Sequence, residues 1–443
     1  MATDTALYKS PSTSHVVRVT AGLGVTQLIS WGTVFVPPPI FAASIAQDLQ
    51  IELETVFLGI TVMLLVSALV GPTLGRILDK VGSRQPMIYG ALGASLGFLL
   101  LGSAPNTFVF WSAWIVLGLV APLVLSNGCY AALSQLAGHR SRRAISSLTL
   151  FSGSAIAIFY PIAYFLDETI GWRSACLLFA SLHLFISTPI FLSLIPRSKD
   201  AFASSAPPPG VHRPLEGQRR AVAFYALFIL MAIHALVSNG LLLNFINLYE
   251  AFEIDKGVAV RVIALAGVLQ ILARLADILL SGRYPATVTI LLSSLLQVLA
   301  LLAILPAPSP AWIATLVIGI CLSNGLMAIA RAAVPLALFG TRAYGEVMGQ
   351  LSFPFNVMSA LAPLIFAKLI LASGPMAALH VATCLSVVGL VACFCVFETW
   401  RGRSGKRSRS DTARHSFRMG ADRHEDVISD DRGRSVPERI NQP

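Results

Sequence analysis

The sequence predicts an all-α membrane protein of twelve transmembrane helices, arranged as two pseudo-symmetric six-helix bundles. Three observations carry this. Apolar runs near the length of a bilayer crossing recur along almost the whole chain. Basic residues crowd alternate loops. The second half repeats landmarks of the first at offsets of 197 to 199 residues.

The apolar runs come first. Of 443 residues, 55% are hydrophobic and only 12% are charged, about half the charge of an ordinary soluble domain. A hydrocarbon core of roughly 30 Å takes about 20 helical residues. FLGITVMLLVSALVGPTL from Phe57, ATVTILLSSLLQVLALLAIL from Ala286 and MAALHVATCLSVVGLVACFCVF from Met376 have that length and character. The N-terminus, MATDTALYKSPSTSHVVRV, is polar and lacks a cleavable-signal pattern, so the first apolar segment is expected to be a retained helix. Cys129, Cys176, Cys321, Cys384, Cys393 and Cys395 all fall inside apolar segments and read as small buried residues, not metal ligands or redox pairs.

In order, the first half gives helices over 17–46, 55–76, 86–103, 107–137, 143–167 and 172–195. The second gives 221–249, 257–281, 286–305, 310–339, 345–372 and 375–398. The first helix carries Pro37, Pro38 and Pro39, which remove three donors that backbone elsewhere must re-satisfy. Between the halves, RSKDAFASSAPPPGVHRPLEGQRR is too polar to span and reads as a linker. The expected organisation is an N-terminal segment 1–16, a bundle 17–196, a linker 197–220, a bundle 221–399 and a tail 400–443. The tail carries eleven Lys/Arg against seven Asp/Glu from Arg401 onward and almost nothing apolar, so disorder is expected. Its basic start suits either anionic lipid heads or plain solvation.

The loops set orientation. Lys9 and Arg18, then Lys80 and Arg84, then Arg140, Arg142 and Arg143, then Arg197, Lys199, Arg213, Arg219 and Arg220, then Arg283, then Arg342 mark one side. The other side carries Asp48, Glu52, Glu54, Asp167, Glu168, Glu253 and Asp255, diluted by Arg173, Lys256 and Arg261. The positive-inside rule places both termini and the basic loops in the cytoplasm. Ends on one side need an even number of crossings, which fits twelve.

The repeat ties the halves together. LSNG occurs at 125–128 and at 322–325; Arg76 and Asp79 map onto Arg274 and Asp277, and Pro86 onto Pro285. An offset of six helices relates the halves by an axis along the membrane normal, with a substrate site expected near the midplane between them.

The stretch GRILDKVGSRQP, residues 75–86, sits between two greasy runs. Gly75 allows close helix approach. Asp79 can cap a neighbouring helix or pair with a base in one conformation, and Gly82 permits a sharp reversal. An ordinary basic loop obeying topology is the plainer alternative. With Gly75, Leu78, Asp79, Lys80, Gly82 and Arg84 in place, the stretch resembles the signature of the major facilitator superfamily between helices 2 and 3. The resemblance covers roughly 17–398 and includes GWRSA at 171–175. It implies the two-bundle fold, and gating duty for Gly75, Asp79, Lys80, Gly82, Arg84 and, through the repeat, Asp277. SWGTVFVPPPIFAASIAQDL and the residues around helix 5 are similar to a bacterial branch near the oxalate–formate and monocarboxylate transporters. The helix 4 Arg and helix 5 G-P-x-x-G-G motif of drug/proton antiporters are missing from this chain.

Charge at mid-bilayer costs about 2.5–3.5 kcal/mol on insertion scales, which points to function. Arg331, in LSNGLMAIARAAVPLALFG, can hold a carboxylate bidentately or snorkel to the near face. Arg274 matches the helix 8 Arg that handles the anion in monocarboxylate transporters, as the resemblance implies. Its usual acidic partner is replaced by Gln270, which cannot titrate, and an Arg274–Asp277 pair is the structural alternative. Gln27 with Ser30, Trp31 and Gly32 in helix 1, and Asn239, Asn244 and Asn247 in helix 7, are polar candidates beside the path, with Tyr160, Asn127, Asn324, Gln350 and Asn356. His234 reads as the one neutral-pH titrator deep in a span, a candidate for proton coupling.

The expected function is secondary active transport of a small organic anion, monocarboxylate-like, by alternating access in the bacterial inner membrane, through symport or antiport. Alternatives are efflux of a toxic or hydrophobic compound and a non-transporting sensor on the same fold. No enzyme chemistry, cofactor, metal or nucleic acid is expected. The partners expected are a small-molecule substrate, H+ as a coupling ion and the lipid bilayer, with the chain working as a monomer.

Overall fold

A computed structural model describes residues 13–35, 37–197, 214–245, 248, 252, 256–280, 283–305 and 310–429. Among them no strand occurs. Each helix follows from the period and length of its apolar run, and the described residues are numbered as twelve helical segments. α1 is a bent pair, Thr13–Phe35 and Pro37–Leu49, turned by 42°. α2 is Leu53–Val81, α3 Arg84–Gly102, and α4 the two pieces Thr107–Val124 and Ser126–Leu136. α5 and α6 run continuously from Ser141 to Leu194 but turn at Gly171. α7 is Gly217–Leu243, α8 Lys256–Leu280, α9 Ala286–Ile304 and α10 Pro310–Phe339. α11 and α12 run on from Tyr344 and turn at Gly374.

By length and composition, nine of these segments can cross a membrane, or ten with α1 counted as one bent span. Two of them, Ser141–Leu194 and Tyr344–Arg401, are 54 and 58 residues long, about twice what a bilayer takes. Each is a hairpin. Gly171 (φ 76°, ψ 159°) and Gly374 (φ 82°, ψ 165°) adopt a conformation closed to residues with a Cβ, and reverse the chain there. Reading each as two crossings gives the twelve that the sequence predicts.

The proline run is handled simply. A new helix starts at Pro37, so the missing donors fall in a first turn, where N–H groups have no intrahelical acceptor anyway. The last helix continues to Ser429, into the stretch that composition assigns to a tail. Residues 1–12 and 430–443, and most of the linker, lie outside the described residues.

The chain forms two units, Met1–Val396 and Phe397–Pro443. In the first, the outer surface is apolar: Leu69, Phe185 and Leu279 are each 70% exposed or more. Water would penalise such a surface; lipid tails do not. Of the six cysteines, Cys384 and Cys395 are exposed, not buried as their apolar context suggests. An apolar solvent removes the pressure to bury them, and both sit on the outward face of α12.

Inside, the GWR stretch fastens one end of the first bundle. Trp172 Nε1 donates to Asp48 Oδ2 at 2.8 Å, Arg173 pairs with the same carboxylate at 3.4 Å, and Arg173 Nη1 donates to the Ala104 carbonyl at 2.7 Å. That joins the ends of α1, α3 and α6. A buried cluster at the other end spans both halves: Leu78, Met87, Tyr130 and Leu148 pack with Ala332, Tyr344 and Met348.

Candidate functional site

The signature stretch closes a seam between α2 and α11. The Asp79 carboxylate accepts from the backbone N–H of Gly345 at 2.9 Å and of Glu346 at 2.7 Å. These are orphan donors in the first turn of α11, and a negative charge suits the positive end of a helix. Arg76 Nε lies 3.4 Å from Glu346 Oε1, an exposed pair that adds little. A Cβ on Gly75 would overlap the Gly345 carbonyl, and one on Gly349 would overlap the Gly71 carbonyl. The two small-xxx-small faces therefore bring backbones into contact. Further along the same pair, Asn356 Nδ2 donates to Ser67 Oγ at 3.3 Å, and Asn127 on α4 exchanges bonds with Ser352 at 2.9 and 3.2 Å. From Asp79 back to Ser67 is about 18 Å of helix at 1.5 Å per residue.

Other signature residues act within their own half. Gly82 turns the chain with φ 84°. Arg84 caps α6, donating to the carbonyls of Leu192 and Ile195 at 2.6 and 3.1 Å. Lys80 is exposed. Asp277, the repeat of Asp79, accepts from Tyr284 Oη at 2.8 Å and Thr289 Oγ1 at 2.7 Å instead of capping a helix. Burial and the Asp277 carboxylate push the Tyr284 phenol up to about 12. Arg142 of α5 reaches the Tyr284 carbonyl and lies over its ring, 5.8 Å from the centroid. This is a second contact between halves at the same end of the molecule, between α5 and the connection from α8 to α9.

Deeper in the seam lie the two arginines. Arg274 is only 7% exposed; its Nη1 donates to the Thr149 carbonyl of α5 at 2.8 Å, and its Nε has no partner. The guanidinium occupies the space a Cβ on Gly153 would need. Arg331 lies over the Phe355 ring of α11, 4.2 Å from the centroid, and its buried Nε is also unpartnered. Tyr130, on α4, hydrogen-bonds to Arg331 and faces Arg274. Tyr344, whose hydroxyl donates to the Ala332 carbonyl at 2.9 Å, faces Arg331. Among the described residues no Asp or Glu pairs with either arginine. The postulated Arg274–Asp277 pair does not form: Asp277 is taken by Tyr284 and Thr289, and Arg274 turns toward α5.

The polar candidates separate by location. Gln27 is fully buried and tied inside the first bundle: it donates to the Val124 carbonyl at 2.9 Å and to Cys129 Sγ, and accepts from Trp31 Nε1 and Ser126 Oγ. Val124 needs it, because α4 breaks at the first LSNG, where Leu125 is extended. α10 runs unbroken through the second LSNG; Gly319 stands there where α4 has Pro122. Asn324 Oδ1 meets His234 Nε2 at 2.8 Å inside the second bundle, beside Gln297, which donates to Ser386 at 3.0 Å. Asn239 donates to Ser359 at 2.9 Å, and Asn244 to the carbonyls of Gly240 and Pro363 at 2.9 and 3.0 Å. Gln350 donates to Glu346 at 3.3 Å. Tyr160 is half exposed on α5. Asn247 lies outside the described residues.

His234 is not alone. His183, fully buried, stands at a π-helical turn of α6; its Nε2 is 3.0 Å from Thr33 Oγ1 and its ring stacks on Phe98. Tyr130, Thr149, Tyr284 and Tyr344 were not singled out by the sequence, and Arg142 was legible there only as a marker of orientation. Tyr130 carried a signal, two residues beyond LSNG in a helix already marked by the repeat; Thr149 acts through its backbone and carried none.

The family model described as Major Facilitator Superfamily matches residues 23–363. A transporter of Aspergillus oryzae, MFS-type transporter oryN, is 25% identical over 223 residues, which are 48% of this chain and 43% of that one. The chain thus spans less than half the length of this relative. Among solved structures, the human organic anion transporter MFSD10 (TETRAN) superposes with a TM-score of 0.65 at 18% identity, over 87% of this chain and 100% of that one.

Proposed function

Because the chain belongs to the major facilitator superfamily, and so is a multi-pass membrane protein of a transport family, we propose that it is a secondary transporter of a small organic anion. It works by rocking two six-helix bundles, 17–196 and 221–399, about the seam. One observation supports the cargo class most strongly: two guanidiniums, Arg274 buried and Arg331 half-buried with its Nε sealed from solvent, lie where the halves meet, with Tyr130 and without a carboxylate among the described residues. Two like charges held this close repel and are poorly solvated. A carboxylate entering between them supplies the missing counter-charge and accepts bidentately. MFSD10 shares only the fold at its 18% identity, so the anion reading rests on this chain's own residues.

Asp79 with Gly71, Gly75, Gly345 and Glu346 forms the gate on the side that the basic loops place in the cytoplasm. His234, hydrogen-bonded to Asn324 two turns along α10 from Arg331, is the group proposed to take the coupling proton. A proton there adds to the positive charge at the arginines, and an arriving anion offsets it; anion and proton then travel together. Asn127 and Ser352 line the inner seam, while Gln27 and Asn244 stiffen the helices beside it.

The test is uptake of a labelled carboxylate panel by proteoliposomes, with and without a pH gradient. Wild-type uptake that survives in the Arg274→Ala, Arg331→Ala double variant would remove the anion reading and favour a neutral or hydrophobic cargo.

A further inference from the structure

We propose that Arg274 also latches the two halves together, with Thr149 and Gly153 as its positioning residues, and that latching and anion binding exclude one another. The second half of this statement rests on the anion reading above; the first does not.

A guanidinium offers a carboxylate two bidentate edges. One is Nη1 with Nη2; the other is Nε with Nη2. In this arrangement neither edge is open to an incoming anion. Nη1 gives one N–H to the Thr149 carbonyl on α5, at 2.8 Å, and is walled in by the backbone at Gly153. Nε is sealed from solvent and has no partner. A bidentate anion therefore requires the side chain to move, and that movement breaks the bond to Thr149. Gly153 explains why the latch can close at all: Nη1 sits where any larger residue would put its Cβ. One turn separates Thr149 from Gly153, so the two form a single cradle on one face of α5. Arg331 differs. It stacks on Phe355 of its own half and, among the described residues, reaches across the seam only to Tyr130, so it lies outside the α5–α8 cradle.

Binding then does mechanical work without a separate trigger. An empty carrier keeps α8 fastened to α5 through Arg274. A loaded one has traded that bond for the anion and holds the seam more weakly. A hydrogen bond to a charged group of this kind supports roughly a 10- to 100-fold population ratio.

The experiment uses full-length protein spin-labelled at Arg143→Cys and Arg283→Cys, beside the α5–α8 contact, with no anion added. Gly153→Ala and Arg274→Gln should each shift the distance distribution toward a separated seam by about 10-fold or more; Asn239→Ala, which cuts only a bond to Ser359 within the second half, should not. Unchanged distances in both of the first two variants would overturn the latch. Affinity for the carboxylate panel is measured in parallel. Gly153→Ala, already unlatched, should bind more tightly than wild type, since the competent fraction rises. Equal or weaker binding overturns the exclusion. Binding of no carboxylate by either protein sinks the anion reading and the exclusion together, while the spin-label result still decides the latch.

Discussion

Asp79→Asn tests the gate most sharply. The carboxylate accepts two backbone bonds, at 2.9 and 2.7 Å, from Gly345 and Glu346 in the first turn of α11. An amide of the same shape keeps one acceptor oxygen but turns an NH2 group toward the second N–H. One bond is lost, the other becomes neutral, and the charge at the helix N-terminus disappears. Hydrogen bonds to charged groups contribute about 1.5–3 kcal/mol and neutral ones about 1; a charge at a helix end contributes about 0.3–1 more. The side chain is partly exposed, so the lower figures apply, and the closed seam weakens by about 2–3 kcal/mol. That is roughly a 30- to 150-fold shift toward separated halves. The assay is distance measurement between labels at Val81→Cys and Arg342→Cys, one at the end of α2 and one just before α11. A closed population in Asp79→Asn equal to that of the parent would refute the reasoning, because the glycine contacts and the remaining cross-seam bonds would then hold the seam without the carboxylate.

Gly349→Ala puts a Cβ against the Gly71 carbonyl, where neither backbone can yield; overpacking of this kind costs about 1–3 kcal/mol. The same labels should report a more open seam, and an unchanged distribution would show that the glycine contact does not set it. Gln27→Leu strands the Val124 carbonyl, while Trp31 Nε1 keeps Ser126 Oγ at 3.1 Å, and should lower stability by about 1–3 kcal/mol in thermal unfolding; an unshifted midpoint would count against the network. His234→Ala should flatten the response of uptake to a pH gradient, and an unaltered response clears this imidazole of proton duty. Arg331→Lys keeps the charge but not the bidentate fork, so carboxylate affinity should fall about 10-fold or more; equal affinity would argue for a point-charge contact.

How much of this the sequence showed depends on the kind of interaction. Helix number was legible because hydropathy fixes crossings one by one, and Gly171 and Gly374 mark hairpins that a continuous helical trace hides. Asp79 was legible because a carboxylate at a helix end beside glycines has few physical uses. Asp277 shows where such inference stops. Its position repeats that of Asp79, yet its partners are side chains of its own half, since Tyr284 and Thr289 offer hydroxyls that the first half lacks there. The cradle around Arg274 was invisible for another reason: one wall is a backbone carbonyl and the other a missing side chain, and neither leaves a chemical signature in sequence. His183 was missed because it lies in a run apolar enough to pass as core.

The central claim is that two bundles rock about one seam. The most direct test places label pairs at both ends of α2 and α11: Val81 with Arg342, and Glu52 with Leu371. Asp79→Asn should lengthen the first distance and shorten the second in the same molecules. Lengthening at one end with no change at the other, or movement of both ends in the same sense, would contradict the account.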